Sequence, residues 1–214
     1  MIELADVSFR YPGQRVPALV GVSFTVAAGA RFALLGVNGS GKTTLLTLLA
    51  GLRTPAAGTV RIAGFDLATR RREAQQRVAF VPQENAFYPT LTVAENLAFF
   101  AAMREVPSAL RAGRIRDAVE VTVLGSLLSQ RAGTLSGGQR RRLSIAGGLL
   151  GAPELLLLDE PTAGVDPEVR AQLVASIREI AERGTTLVYC SHHLDEVDAL
   201  CTDVALLDAG RLRF

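Results

Sequence analysis

Lysine occurs once in this 214-residue chain, so the other 22 of its 23 Lys and Arg residues are arginine. The single lysine, Lys42, lies in Gly36-Val37-Asn38-Gly39-Ser40-Gly41-Lys42-Thr43. Arginine ends in a wide planar fork, whereas lysine is a slim stem carrying a compact charge with three donors. Only the second fits a tight glycine turn and reaches the β- and γ-phosphates of a nucleotide. The spacing G-x-x-x-x-G-K-T is that of a loop whose backbone N–H groups cradle phosphate oxygens. Gly36, Asn38, Gly39, Ser40 and Gly41 supply those amides, and the start of the following helix adds a partial positive charge. Thr43 is spaced to offer its hydroxyl to Mg²⁺, and Thr44 to bond another phosphate oxygen.

A second constellation is Asp159-Glu160, directly after Leu155-Leu156-Leu157-Leu158. Four leucines in a row suggest a strand buried on both faces, and open α/β sheets bind ligands at the carboxyl ends of their strands. Two carboxylates there can divide the work. Asp159 holds Mg²⁺ through water, and Glu160 polarises the water that attacks a γ-phosphate. A third is Leu135-Ser136-Gly137-Gly138-Gln139. A capping serine beside two glycines leaves amides bare at a positive helix end, which makes a second anion site. The only two histidines, His192 and His193, are adjacent and precede Asp195-Glu196. Spacing favours His192 for a γ-phosphate contact. Adjacent residues at a strand end point apart and no third ligand is nearby, so no metal site is expected there.

These residues need a scaffold of alternating strands and helices. Residues 2–9 and 20–26 alternate apolar and polar side chains, as an antiparallel start would. Residues 31–35 form a short buried strand leading into the glycine loop, and a helix follows over 42–52. Short strands are expected at 59–62 and 78–81, on either side of a polar, arginine-rich segment. Residues 92–104, 108–128 and 136–150 read as helices; Thr92 with Glu95 has capping-box spacing. The leucine strand, a helix over 167–183 ended by Gly184, a strand over 185–190, a helix over 195–200 and a last strand over 204–207 complete the chain. The pattern predicts an α/β fold with a mostly parallel sheet covered on both sides. Residues 85–150, which show no strand pattern, are expected to form an inserted helical subdomain within one domain over 1–214.

Composition narrows the function. An apolar content of 49% supports a substantial core, and a net charge of +2 implies no strong polyanion-binding field. The triplets Arg70–Arg72 and Arg140–Arg142 read as solvated helix faces. With no Trp and no aromatic–basic interleaving, no nucleic-acid partner is expected. Cys190 and Cys201 sit in apolar stretches without metal spacing and suit a reducing compartment. No apolar run reaches the roughly 20 residues of a membrane span, and no signal peptide opens the chain.

Taken in order, the motifs resemble those of the nucleotide-binding domain of ABC ATPases, over nearly the whole chain. The glycine loop is similar to Walker A, Leu155–Asp159 with Glu160 to Walker B and its catalytic glutamate, and Leu135–Gln139 to the family signature. Gln83 matches the Q-loop glutamine, Ala163-Gly164-Val165-Asp166 the D-loop, and His192 the switch histidine. Tyr11 matches the aromatic that stacks on adenine. The resemblance implies a P-loop NTPase sheet with an N-terminal antiparallel β subdomain and the helical insert. It implies ATP and Mg²⁺ as cofactors, with Thr43, Gln83 and Asp159 around the metal and Glu160, His192 and Gln83 in catalysis. It implies head-to-tail pairing with a second ATP-binding subunit, in which Ser136, Gly137, Gly138, Gln139 and Asp166 of one copy close over the nucleotide of the other. A separate integral membrane permease would then hold the subunit at the inner face of the cell membrane. Docking would fall near Phe87, Tyr88, Phe99 and Phe100, although Phe99 reads equally well as subdomain core. The segment from Phe87 to Leu97 and Gly164-Val165-Asp166-Pro167 resemble exporters of the multidrug and antibiotic-resistance class. A non-transport ABC ATPase of DNA repair or translation is the alternative, but those forms carry two motif sets, coiled coils or basic insertions. Relatives usually continue with a short helical stretch past the position of Phe214.

Overall fold

The computed structural model describes residues 1–84 and 86–213. Two sheets share the chain. The smaller is antiparallel, ordered β2 (Leu19–Val26), β1 (Ile2–Phe9), β4 (Ala57–Ile62), β5 (Phe65–Asp66). The larger runs β10 (Arg211–Arg213), β9 (Asp203–Asp208), β3 (Arg31–Leu35), β8 (Thr186–Cys190), β7 (Leu155–Asp159), β6 (Val78–Val81). Every neighbour pair from β9 to β6 is parallel, and only β10 is antiparallel. This is the expected α/β class with its antiparallel subdomain. Helix α1 (Lys42–Leu49) lies between the sheets, and its Leu45, Leu46, Leu48 and Leu49 are buried among β1, β4 and one face of the large sheet. Helices α6 (Pro167–Glu182) and α7 (Leu194–Leu200) cover the other face. The strands β7 and β8 are buried along their whole length, as the leucine run requires.

Between β6 and β7 the chain forms α3 (Val93–Met103), α4 (Ser108–Val121) and α5 (Gly137–Leu149), around a core of their own that includes Leu97, Leu124, Leu135 and Leu143. Asn85, where the helical insert was expected to begin, lies outside the described residues. The stop of α3 is tied to the sheet by Arg104, whose Nη1 donates to Val78 O at 2.9 Å. Its start carries a full capping box: Thr92 Oγ1 accepts from Glu95 N at 3.1 Å, and Glu95 Oε2 accepts from Thr92 N at 2.8 Å. Phe87 and Phe100 pack partly buried against this core, whereas Tyr88 and Phe99 are more exposed and contact each other edge-on.

Three short elements depart from the sequence reading. The arginine-rich segment contains β5 and α2 (Arg71–Gln75), and β10 adds an edge strand. Each is five residues or fewer, too short to show a period. Helix α1 ends at Leu49 because the chain turns at Gly51, where φ is +66°. The Arg70–Arg72 triplet is exposed as expected, but Arg141 of the second triplet is buried with 4% of its surface accessible. It lies on the same face of α5 as Gly138, Ile145 and Gly148, which are buried too.

Removing the α3 cap with Thr92→Ala is expected to cost about 1 kcal/mol. Gly113→Ala in α4, where an added Cβ meets nothing within 4 Å, is expected to stabilise by up to about 1 kcal/mol. Urea unfolding midpoints moving in opposite directions would bear this out.

Candidate active site

The β3–α1 loop opens a cleft of about 480 Å³, whose walls include Tyr11, Asn38, Gly39, Gly41, Lys42, Thr43, Thr44, Gln83 and Glu160. The loop wraps because glycine permits it. Gly41 has φ +110°, and a Cβ there would come within 2.7 Å of Ala18 O. Lys42 is buried by this wrapping, and its Nζ donates to Gly36 O at 2.6 Å and Val37 O at 3.3 Å. Nζ also lies 3.7 Å from Glu160 Oε1. Ser40 Oγ is buried without a hydrogen-bond partner among the described residues, so the loop holds a polar atom that a ligand could satisfy.

At the end of β7 the two carboxylates diverge. Thr43 Oγ1 donates to Asp159 Oδ2 at 2.7 Å, which brings a hydroxyl and a carboxylate of different elements onto one point. Burial pushes the Asp159 carboxyl above its usual range; the Thr43 hydroxyl bond opposes this and the neighbouring Glu160 adds to it. Glu160 has a left-handed backbone, φ +44°, and its N–H donates to Cys190 O at 3.0 Å. A non-glycine residue there costs about 1–2 kcal/mol, and the conformation turns the side chain from the strand into the cleft. Glu160 Oε2 lies 3.3 Å from His192 Nδ1. Lys42, Glu160 and His192 therefore form one contiguous row.

The histidine pair corrects the sequence reading. The rings of His192 and His193 do not point apart; their centroids are 4.2 Å apart with a 36° tilt. Strand alternation ends at Cys190, and the chain turns at Ser191, whose Oγ accepts from His193 N at 3.0 Å. Beneath this turn lies a buried carboxylate, Glu196. It accepts from Thr162 Oγ1 at 2.6 Å, Tyr189 OH at 2.7 Å and Ser191 Oγ at 2.8 Å, and pairs with Arg170 at 3.5 Å. Burial and Glu196 raise the Tyr189 phenol far above its usual range, which keeps its proton in place for donation to Glu196. Sequence reasoning used Glu196 only as a spacing mark. Its place on the buried register with Val197 and Leu200 was the available signal.

Tyr11 lines the cleft, with its hydroxyl 3.0 Å from Thr44 Oγ1. Its ring is braced edge-on by Phe9, and the Arg53 guanidinium lies 4.6 Å from its centroid. Arg53 was not singled out by sequence. Gln83 is exposed on the cleft wall.

Ser136, Gly137, Gly138, Gln139 and Asp166 are not among the residues lining this cleft. Ser136 caps α5 in a capping box: its Oγ accepts from Gln139 N at 3.3 Å, and Gln139 Oε1 accepts from Ser136 N at 2.9 Å. The Gln139 side chain is thus engaged within its own helix start. Gly137 is exposed with open space at its Cβ position. Gly138 is buried, and a Cβ there would strike Val169 Cγ1 at 2.3 Å, so its role is close packing against α6. Asp166 caps α6, accepting from Val169 N at 3.1 Å.

Among the described residues no cluster of three or more His, Cys, Asp or Glu could hold a metal by itself. The donor set fits Mg²⁺ as a partner of phosphate. That cation is commonly held by one or two carboxylates plus substrate phosphate oxygens, and Thr43 with Asp159 offers one hydroxyl and one carboxylate beside the glycine loop.

A buried lysine in a glycine loop, a strand-end carboxylate pair and an inserted helical layer define a P-loop nucleotide-binding domain. The family model described as ABC transporter matches residues 19–163, and the chain belongs to that family. It is 36% identical over 192 residues to the linearmycin resistance ATP-binding protein of Bacillus subtilis, covering 90% of this chain and 62% of that one. It is 39% identical over 210 residues to the Nod factor export ATP-binding protein I of Burkholderia lata, covering 98% and 68%. The chain thus spans roughly two thirds of these relatives' length. Among solved structures it resembles cbiO1 of Clostridium perfringens, part of an ABC transporter complex, at 27% identity and TM-score 0.89, covering 100% of this chain and 86% of that one.

Lys42→Ala is expected to weaken ATP binding by at least about tenfold, the loss of one charge-assisted contact of about 1.5–3 kcal/mol. Calorimetric titration checks this, and unchanged affinity would count against a phosphate role.

Proposed function

We propose that the chain binds ATP with Mg²⁺ in this cleft and hydrolyses it, as the ATP-binding subunit of a transporter whose membrane part is a separate protein. The observation that carries the reading is the row Lys42 Nζ, Glu160 carboxylate, His192 Nδ1, with steps of 3.7 and 3.3 Å, beside the Thr43–Asp159 pair at 2.7 Å. Loop amides and Lys42 would take the β- and γ-phosphates, exchanging the carbonyls of Gly36 and Val37 for phosphate oxygens. Tyr11 would carry the adenine. Thr43, Asp159 and Gln83 would surround Mg²⁺, which, bound with the nucleotide, neutralises phosphate charge. Glu160 would orient and deprotonate the attacking water, and His192, with one nitrogen toward Glu160, would offer the other to the γ-phosphate.

A second copy completes the account. The Ser136 amide is taken by Gln139, so the exposed Gly137 amide beside it would offer the anion site, outside the cleft of its own chain. Packed head to tail, each copy would close its serine–glycine helix start over the other's nucleotide, with Gly138, Gln139 and Asp166 shaping that lip. ATP then joins the two faces and hydrolysis releases them. Among the described residues no helix is long and apolar enough to cross a membrane, so movement of a solute needs a partner that does. Tyr88, Phe99 and Met103 expose 46%, 39% and 64% of their surface at the helical layer and suit an apolar helix of that partner. The names of the two relatives, one of resistance and one of export, support outward transport. On this reading the subunit works at the inner membrane face.

Glu160→Gln is expected to slow hydrolysis by about 100-fold or more, as loss of a general base does, while sparing ATP binding. The variant should then elute as a dimer with ATP and Mg²⁺; only monomer on sizing would sink the paired site. Ser136→Arg should retain monomer ATP binding and lose both dimer and turnover, and full activity in that variant would exclude a composite site.

A further inference from the structure

We infer that Arg141 is a positioning residue that locks the serine–glycine helix, the Gln83 segment and the Glu160 turn into one rigid unit. This rests on the reading of the cleft as a nucleotide site. Arg141 lies on α5, five residues after the cap Ser136. Its acceptors are four backbone carbonyls. Nε donates to Pro161 O at 2.8 Å, Nη2 to Asp159 O at 2.8 Å, and Nη1 to Pro82 O at 2.5 Å and Gln83 O at 3.2 Å. Four of its five N–H donors are spent on these bonds.

The positions of those carbonyls give the arrangement meaning. Asp159 and Pro161 bracket Glu160, whose left-handed backbone needs outside support. Pro82 and Gln83 begin the segment leaving β6, which carries a cleft-wall side chain. The helix bearing Arg141 begins at the anion site offered to the second copy. A shift of α5 therefore moves the lip for one nucleotide and the catalytic turn for the other together. Burial lowers the guanidinium to about 10, so it stays charged at neutral pH, and each bond to a carbonyl is charge-assisted. A lysine would place three donors at one point and could not span carbonyls on both strand ends.

The test uses Arg141→Lys and Arg141→Gln, alone and with Glu160→Gln. ATP binding by the unaltered chain is measured first, and its absence would sink the nucleotide reading and this inference with it. In the variants, monomer affinity for ATP is expected to stay within about twofold, because the glycine loop is untouched. The kcat is expected to fall by at least about tenfold, the scale of a small misplacement of reacting groups. The ATP concentration that drives dimerisation in the Glu160→Gln background should rise by a similar factor, with Lys recovering only part of either loss. A purely structural arginine would lower the melting temperature and leave kcat of the folded fraction and the dimerisation curve unchanged; that result overturns the inference. If neither variant folds, hydrogen exchange on the unaltered chain decides. The amides of residues 83–84 and 135–139 should gain protection together as ATP is added, and independent changes would overturn it.

Discussion

Four adjacent parallel strands, β3, β8, β7 and β6, end on one edge of the large sheet, and the row Lys42, Glu160, His192 with the Thr43–Asp159 pair gathers at that edge. The register is tight: Leu34 and Asp159 both face Cys190, and Val81 faces Leu158. One or two residues further along each strand come Gly36, His192, Glu160 and Gln83. Parallel strands require crossovers, so these side chains are far apart in sequence and meet only because the strand order interleaves them. Strands buried on both faces lack the alternation that usually fixes register. Here polar groups at the strand ends supply it, through the Glu160 N–H bond to Cys190 O and the Tyr189 hydroxyl bond to Glu196.

That edge also stores strain. Glu160 stands in a left-handed conformation between two peptides held by Arg141, and the following Thr162 is held by Glu196. Two buried charges of opposite sign thus brace the turn from either side, one using backbone carbonyls and the other hydroxyls. Glu196 also has the partly exposed Arg170 at 3.5 Å as a counter-charge. Buried charges persist where hydrogen bonds satisfy them, and here the partners are backbone carbonyls and hydroxyls at or beside this strand edge. Truncating either charge would leave several donors or acceptors stranded, which costs more than the bonds themselves contribute.

The glycine loop, the leucine strand and the serine cap were legible because each is a local pattern with a local cause: backbone permissiveness, burial on two faces, a free helix N–H. The longer helices were legible through their end signals, as at the Thr92 cap and the closing Gly184. Arg141 was read as solvated because a triplet of charge hides which member turns inward; only the register with Gly138, Ile145 and Gly148 betrays it. Glu196 was similarly masked by Asp195 beside it. The end of β8 at Cys190 was legible, but the contact between His192 and His193 depends on the turn at Ser191 beyond it, which strand alternation does not describe. The neighbours of Tyr11 are equally non-local, since Arg53 reaches its ring from beyond α1.

The same non-local logic explains why the serine–glycine helix carries two glycines with unlike surroundings. Gly137 is open, which leaves an amide available. Gly138 is closed against Val169, which seats the start of α5 on the start of α6. Asp166 caps α6 three residues before Val169, so two helix N-termini are fixed to each other. Both lie outside the cleft of their own chain, but they differ in charge: the start of α6 carries its own Asp166 and Glu168, whereas the first turn of α5 has no acidic residue. The α5 start therefore gains more from an anion brought to it from elsewhere. On the proposed pairing of copies, a nucleotide held by the neighbouring glycine loop would supply that charge.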